Sequence, residues 1–388
     1  MEGKRFATTD KFWRTIMAAA AKGGGAKVIE YCNDGRLCVK LKESNELLDM
    51  VQKGLGEYLG TKRAGFARFY FLSDEELLEI LSETKDPLAV QPHLRKVFEG
   101  IKTVGFNDDV EIISMTSPEK EMVPFKDFVD PKHKNIEDWM VLLKDGMKAA
   151  VREQMMGCLQ DYPTKDRTEW MLNWPAMCIL NGSQVFWTSE TEALMESKGN
   201  QGLKEYIAQC QSQLNDMVFL IRSGLTSGQR TTVGALAVVD VHAKDVMGKM
   251  ADDGVATKSD FAWLSQMKYY WWGDWSPSGK LWVIAMSSRQ SYDYEYLGNS
   301  FRLVITPLTD KCYLTIMSAL QMNLGGAPAG PAGTGKTETT KDLAKALAKM
   351  CVVFNCSDQV RSAASQRRLP MSSRPAFRNS PTSPFSSP

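Results

Sequence analysis

Eight consecutive residues carry the most chemistry that can be read from this chain: Gly330-Pro331-Ala332-Gly333-Thr334-Gly335-Lys336-Thr337, which fit the spacing G-x-x-x-x-G-K-[ST]. Gly330, Gly333 and Gly335 let successive backbone N–H groups curl around an anion with no Cβ in the way. Lys336 supplies a point charge for the outer phosphates of a nucleotide, and the Thr337 hydroxyl is a ligand for Mg²⁺. Such a loop has to open into a helix, whose free N–H groups and positive dipole end favour phosphate.

The elements needed to hold that loop are partly visible around it. Leu343, Leu347 and Met350 recur at i, i+4 and i+7 among Lys341, Lys345 and Lys349, which predicts an amphipathic helix of about four turns. Cys351-Val352-Val353-Phe354 then reads as a short buried strand. On the entry side, Asn323 to Ala329 contains no β-branched residue, so the expected strand is poor by propensity. Thr306-Pro307 caps a further helix, with proline at its first position, that delivers the chain to the loop.

Upstream, the chain reads as mainly helical. Phe12, Trp13, Ile16 and Met17 form one face of a first helix, Lys22 to Gly25 interrupt it, and a second periodic stretch runs from Leu41 to Leu59. Arg68 to Leu72 reads as an aromatic strand leading into a capping box at Ser73 and Glu76. His93 reads as a helix-start residue, and residues 101–135 alternate like a β-meander. Long helices follow over Ile136–Leu159, Thr188–Leu225 and Arg230–Met250, with a capped helix from Thr257 through Met267. That helix ends in Tyr269 to Trp275, an aromatic cluster suited to a buried contact between domains. Leu281–Ala285 and Phe301–Ile305 read as strands flanking a Tyr-rich loop.

Bulk properties narrow the classes. The 388 residues allow two or three domains, 43% are hydrophobic and 24% charged, and the net charge is +1, which argues against nucleic acid or a membrane as a bulk partner. No apolar run approaches the ~20 residues of a spanning helix, no secretory leader is apparent, and the eight cysteines show no metal spacing. A cytoplasmic or cytoskeletal compartment is expected. Residues 361–388, with five Arg, five Pro, eight Ser and no acidic residue, read as a basic, disordered tail.

Together these segments resemble one family. Ile305 to Thr315, Gly325-Gly326-Ala327-Pro328, the phosphate loop with Glu338 to Ala344, and Asn355 to Gln359 are similar to the entry into the first AAA+ module of dynein heavy chains. Phe69 to Leu81 and Val90 to Lys96 resemble the dynein linker domain, and Glu119–Phe125 and Gln184–Thr188 look axonemal. The resemblance implies a linker-type domain over 1–290, the N-terminal part of an AAA+ P-loop module over 300–359, and a tail over 360–388. The implied fold is mainly α: an elongated helical linker-type domain with small β insertions, followed by a partial α/β P-loop segment.

It also implies function. Gly330 to Thr337, with Glu338 beside them, would hold the phosphates of ATP, Thr337 would ligate Mg²⁺, and Ile305, Leu308 and Thr309 would line the adenine side. Expected partners are other dynein complex subunits and the AAA+ ring, with microtubules reached only indirectly, in the cytoskeleton of a cilium or flagellum. The family pattern stops at Val360, before the carboxylate pair that positions Mg²⁺ and water. A truncated chain that binds ATP without hydrolysing it is therefore expected, the alternative being a linker-like interaction module without catalysis.

Overall fold

The helix-forming and β-forming signals sort into elements in the computed structural model, which describes residues 2–22, 35–83, 86–273 and 279–354. The chain divides into two units, residues 1–79 and 80–388. The C-terminal tail, the Asn355–Gln359 match, Gly23 to Gly25, and Asp274 and Trp275 of the aromatic cluster lie outside the described residues.

In the first unit, α1 (Glu2–Lys22) and α2 (Gly35–Gly65) are the two expected helices, and α2 extends beyond the Leu41–Leu59 stretch at both ends. Phe12 and Ile16 are half-buried, whereas Trp13 and Met17 are exposed, so the face of α1 that carries apolar contact is narrower than the four-residue reading. Arg68 to Leu72 is not a strand: Ala67–Phe71 forms a 3₁₀ turn. The reason is local. The Arg63 guanidinium donates to the carbonyls of Phe69 (3.2 Å) and Leu72 (3.0 Å) and to Asp74 Oδ1 (2.7 Å), which takes the carbonyls a ladder would use. The capping box that starts α3 (Asp74–Ser82) is present, with Glu76 N–H donating to Ser73 Oγ at 3.2 Å and Ser73 N–H to Glu76 Oε2 at 3.0 Å.

The second unit takes in the end of α3 and goes on with α4 (Leu94–Val97), at whose N-cap His93 sits, and the expected meander of β1 (Thr103–Phe106), β2 (Ile112–Thr116) and β3 (Met122–Val129), paired antiparallel in that order. The long helix α5 (Ile136–Asp161) lies against β3; a Cβ on Gly146 would come within 3.0 Å of Val129 Cγ2. After α6 (Arg167–Asn173), the helical stretch expected from Thr188 to Leu225 is two helices, α7 (Ala176–Lys198) and α8 (Asn200–Arg222). They break at Gly199, whose φ of +57° suits glycine, and a Cβ on Gly202 would meet the Leu194 carbonyl at 2.5 Å. Helix α9 (Ser227–Asp252) packs on this hairpin around Trp187, Leu203, Tyr206, Met247 and Trp263.

The helix expected from Thr257 through Met267 is only one turn, α10 (Phe261–Leu264), and the aromatic run after it is strand β4 (Lys268–Trp272). Tyr269 to Trp272 are strong β formers, and β5 (Lys280–Ala285) offers them a partner. With β6 (Ser288–Ser291) they make a second antiparallel sheet. Phe301–Ile305 forms no ladder; the Leu303 N–H donates to the Asp342 side chain. Helix α11 (Pro307–Gln321) starts as expected, with a Thr306/Thr309 capping box and Pro307 at its first position. The last described helix is α12 (Lys336–Ala346), shorter than the spacing of Leu343, Leu347 and Met350 suggested. Cys351 to Phe354 is not in a strand among the described residues, and Val353 and Phe354 are exposed rather than buried. Among the described residues the architecture is thus mainly α with two small antiparallel sheets.

Candidate functional site

The phosphate loop has the backbone its glycines make possible. Gly330, Gly333 and Gly335 have φ of +155°, +81° and +77°, conformations that L side chains rarely adopt. A Cβ on Gly330 would sit 3.3 Å from Thr334 Oγ1, so that position is also spatially tight. Gly335, in the left-handed region, is the N-cap of α12, and the first helical N–H with a backbone partner there is that of Thr339, bonded to the Gly335 carbonyl at 2.8 Å. The N–H groups of Lys336, Thr337 and Glu338 precede the first helical bond and are the ones a helix start offers to an anion.

Side chains around the loop divide by what they already hold. Lys336 Nζ folds back to donate to the Gly330 carbonyl at 2.8 Å, to the Pro331 carbonyl, and more weakly to Thr334 Oγ1 at 3.4 Å. Thr334 Oγ1 donates to the Pro331 carbonyl at 2.9 Å. Thr339 and Thr340 donate their hydroxyls to the carbonyls four residues back, at 3.0 Å each. The Thr337 hydroxyl alone of these has no protein partner among the described residues, which is the condition for ligating a metal. Glu338 is exposed and pairs with Lys341 at 3.1 Å. The loop therefore fits a phosphate with a metal ion beside it: glycine-shaped backbone, an ammonium within the loop and one unspent hydroxyl. Among the described residues no set of three His, Cys, Asp or Glu side chains could hold a metal by itself.

The three residues expected on the adenine side differ in their surroundings. Leu308 is 72% exposed, at the first turn of α11. Thr309 completes the capping box, its Oγ1 accepting from Thr306 N–H at 2.6 Å. Ile305 is half-buried and lines a cavity of about 40 Å³ with Leu180, His242 and Asp310. Across that cavity His242 Nε2 lies 3.5 Å from Asp310 Oδ1. Burial lowers the His242 pKa and raises that of Asp310.

Helix α12 is fastened at its C-terminal end. Leu343 and Leu347 are fully buried, and each such side chain contributes ~1.5–3 kcal/mol. The Leu347 and Ala348 carbonyls accept from the N–H groups of Asp293 (3.1 Å) and Glu295 (3.0 Å), so the helix end is stitched to the Tyr-rich segment. That segment is itself pinned. Tyr292 OH accepts from Asn181 Nδ2 at 2.8 Å, Tyr294 OH accepts from Leu281 N–H at 2.8 Å, and Tyr296 OH donates to Glu121 Oε2 at 2.7 Å. Tyr269 OH also donates to the Ala346 carbonyl at 3.2 Å.

Sequence reasoning missed the group nearest the centre of this arrangement. Asp342, 3% exposed on α12, accepts from Arg302 Nε (3.0 Å, Oδ1), Arg302 Nη2 (2.9 Å, Oδ2), Leu303 N–H (3.1 Å, Oδ1) and Tyr313 OH (2.9 Å, Oδ2). Burial alone would raise its pKa, but the Arg302 charge and these hydrogen bonds hold it below the usual carboxylate value. The available signal was Arg302 itself, one charge inside the apolar run Phe301 to Ile305, which has to find a partner when it is buried.

Comparison with known proteins gives two family matches. The family described as "Dynein heavy chain, N-terminal region 2" matches residues 1–158, and "Hydrolytic ATP binding site of dynein motor region" matches residues 292–369. Among individual relatives, mouse dynein axonemal heavy chain 1 is 52% identical over 360 residues, which is 93% of this chain. Human dynein axonemal heavy chain 3 is 48% identical over 92% of the chain, as is rat dynein axonemal heavy chain 12. The chain spans only 8% of the length of the first two relatives and 11% of the third.

Proposed function

We propose, since the chain belongs to the dynein heavy-chain family, that residues 330–337 bind the phosphates of ATP and that the helical region before them is the lever which responds to that binding. In this reading Gly330 to Gly335 offer backbone N–H groups, Lys336 leaves the loop carbonyls to meet the outer phosphates, and Thr337 ligates Mg²⁺. Glu338 lies beside the metal, and Ile305, Leu308 and Thr309 form the base side. The linker-type region covers 1–290, the start of the AAA+ module 300–359, and the tail 360–388.

The observation that carries the reading is the left-handed Gly335 at the start of α12, which puts the Lys336 and Thr337 side chains and three free N–H groups at one helix terminus. The anchoring of α12 to the Tyr292–Tyr296 segment supports a mechanical role, because the same segment holds α7 through Asn181 and the first sheet through Glu121. The setting proposed is the axoneme of a cilium or flagellum, with microtubules and the other dynein subunits as partners of the longer heavy chain.

Hydrolysis is a separate matter. Turnover at a P-loop site needs an oriented water, a metal held on both sides and usually an arginine from a neighbour, worth ~10³–10⁵ in rate. The residues assembled here supply the cradle and one metal ligand, so we propose binding without turnover for the 388-residue chain. Calorimetric titration of ATP with Mg²⁺ tests the binding half. Heat that saturates with the wild type and vanishes in Lys336→Ala supports the assignment; equal binding by both proteins removes it.

A further inference from the structure

The segment that carries the proposed base-side residues begins and ends on a single carboxylate. Arg302 and Leu303 stand just before Ile305, and Tyr313 stands just after Leu308 and Thr309. All three donate to Asp342, whose two oxygens receive four hydrogen bonds between 2.9 and 3.1 Å. Asp342 lies on α12, six residues past Lys336, so the helix that starts at the phosphate loop also carries this carboxylate. The pair is bidentate and enclosed, with Arg302 10% and Asp342 4% exposed in their side chains, which gives it geometric definition that a surface ion pair lacks.

We propose that Asp342 is a positioning residue for nucleotide recognition: it closes the 302–313 segment onto the phosphate-loop helix and so sets the spacing between the base side and the phosphate side of the site. The inference rests on the proposed nucleotide reading. It assigns Asp342 no contact with nucleotide or metal; the residue acts through Arg302, Leu303 and Tyr313. Its consequence is selective. A ligand that engages only the phosphate loop is indifferent to the carboxylate, whereas a ligand that must span both sides depends on it.

That selectivity separates a positioning role from a merely structural one. In calorimetric titrations of the full 388-residue chain with Mg²⁺, three probes are compared: ATP, GTP and inorganic tripolyphosphate. Tyr313→Phe removes one of the four hydrogen bonds with almost no change of shape, and Asp342→Asn removes the charge. Both are expected to lower ATP affinity, by about tenfold for Asp342→Asn, equivalent to ~1.4 kcal/mol. Tripolyphosphate affinity stays within about twofold, and the preference for ATP over GTP shrinks. Thermal unfolding establishes that each variant is folded. If Asp342→Asn does not fold, because Arg302 is left buried with its charge uncompensated, Tyr313→Phe carries the comparison. Equal losses for ATP and tripolyphosphate in a folded variant, or no loss for either, overturn the positioning role. Failure of the nucleotide reading looks different: wild type and Lys336→Ala then bind ATP alike, or neither binds it.

Discussion

Removal of Asp240 tests whether the helical region is held by one enclosed ion pair. Arg167 on α6 donates through Nη2 to Asp240 Oδ2 on α9, and its Nη1 donates to Tyr162 OH at 3.1 Å. Ser183 on α7 donates to the second carboxylate oxygen at 3.0 Å, so three helices meet at one carboxylate. The two charged side chains are 14% and 12% exposed. Burial alone would lower the Arg167 pKa, and the Asp240 charge opposes that and raises it. Without Asp240 the guanidinium still stays charged, because its intrinsic basicity lies far above neutrality, and it is then buried with no counter-charge. Removing one member of such a pair costs ~3–5 kcal/mol, whereas replacing both by apolar residues of similar volume is often neutral. For a unit of roughly 300 residues, an unfolding entropy of ~2.1 cal/mol/K per residue sums to ~0.6 kcal/mol/K. Asp240→Ala should therefore lower Tm by about 5–8 °C, while Arg167→Met with Asp240→Leu should recover most of that loss. Far-UV circular dichroism melts of the wild type, Asp240→Ala, Asp240→Leu, Arg167→Met and the double variant measure it. A shift of under ~1 °C in Asp240→Ala, or losses that simply add in the double variant, refutes the reasoning.

Three further outcomes follow from particular contacts. A Cβ on Gly100 would lie 2.3 Å from the Tyr296 carbonyl and 2.8 Å from the Gly298 nitrogen, both rigid backbone, so Gly100→Ala should destabilise by ~1–3 kcal/mol and speed proteolysis of the 292–300 segment. Cleavage at the wild-type rate contradicts that packing. Gly335→Ala meets nothing within 4 Å, so its cost is the backbone strain of the left-handed conformation, ~1–2 kcal/mol, and is expected as weaker ATP binding with little change in Tm; unchanged ATP affinity would show that the loop does not need that conformation. The third concerns pH. Burial holds the folded pKa of His242 below its ordinary 6.5, outweighing Asp310 and Asp245. The unfolded chain then takes up the proton first, so this contribution is constant above pH 6.5 and lost as the pH falls below it, at up to ~1.4 kcal/mol per pH unit. Relative to His242→Gln, the wild-type Tm should fall between pH 7 and pH 5.5; parallel curves for the two proteins would contradict the assignment.

How far these features were legible depended on whether their causes were local. The capping box at Ser73, the helix start at Thr306-Pro307, the meander over 101–135 and the glycine positions of the phosphate loop were readable, because each follows from residues within a few positions of one another. Helix α5 was readable from the spacing of Trp139, Leu142, Leu143 and Met147, of which all but the exposed Leu142 are buried. The errors came from partners far along the chain. Phe301 to Ile305 has strand composition, yet Asp342, some forty residues on, takes the Leu303 N–H. Tyr269 to Trp272 became a strand because Leu281 to Ala285 pairs with it. Arg68 to Leu72 lost its strand to Arg63, whose reach into the next turn no alternation pattern reveals. At the proposed site, the motif marked the residues assigned to phosphate, while the carboxylate on their helix depends on Arg302 and Tyr313, which lie outside the phosphate-loop motif.

The central claim is that this chain holds ATP through residues 330–337 but does not turn it over alone. Steady-state phosphate release by the purified 388-residue chain, measured with Mg²⁺ and saturating ATP beside Lys336→Ala, addresses it most directly. The account predicts a rate indistinguishable from Lys336→Ala under conditions where titration shows ATP bound to the wild type. Turnover approaching the ~1–10³ s⁻¹ of ordinary enzymes, lost in Lys336→Ala, would contradict it.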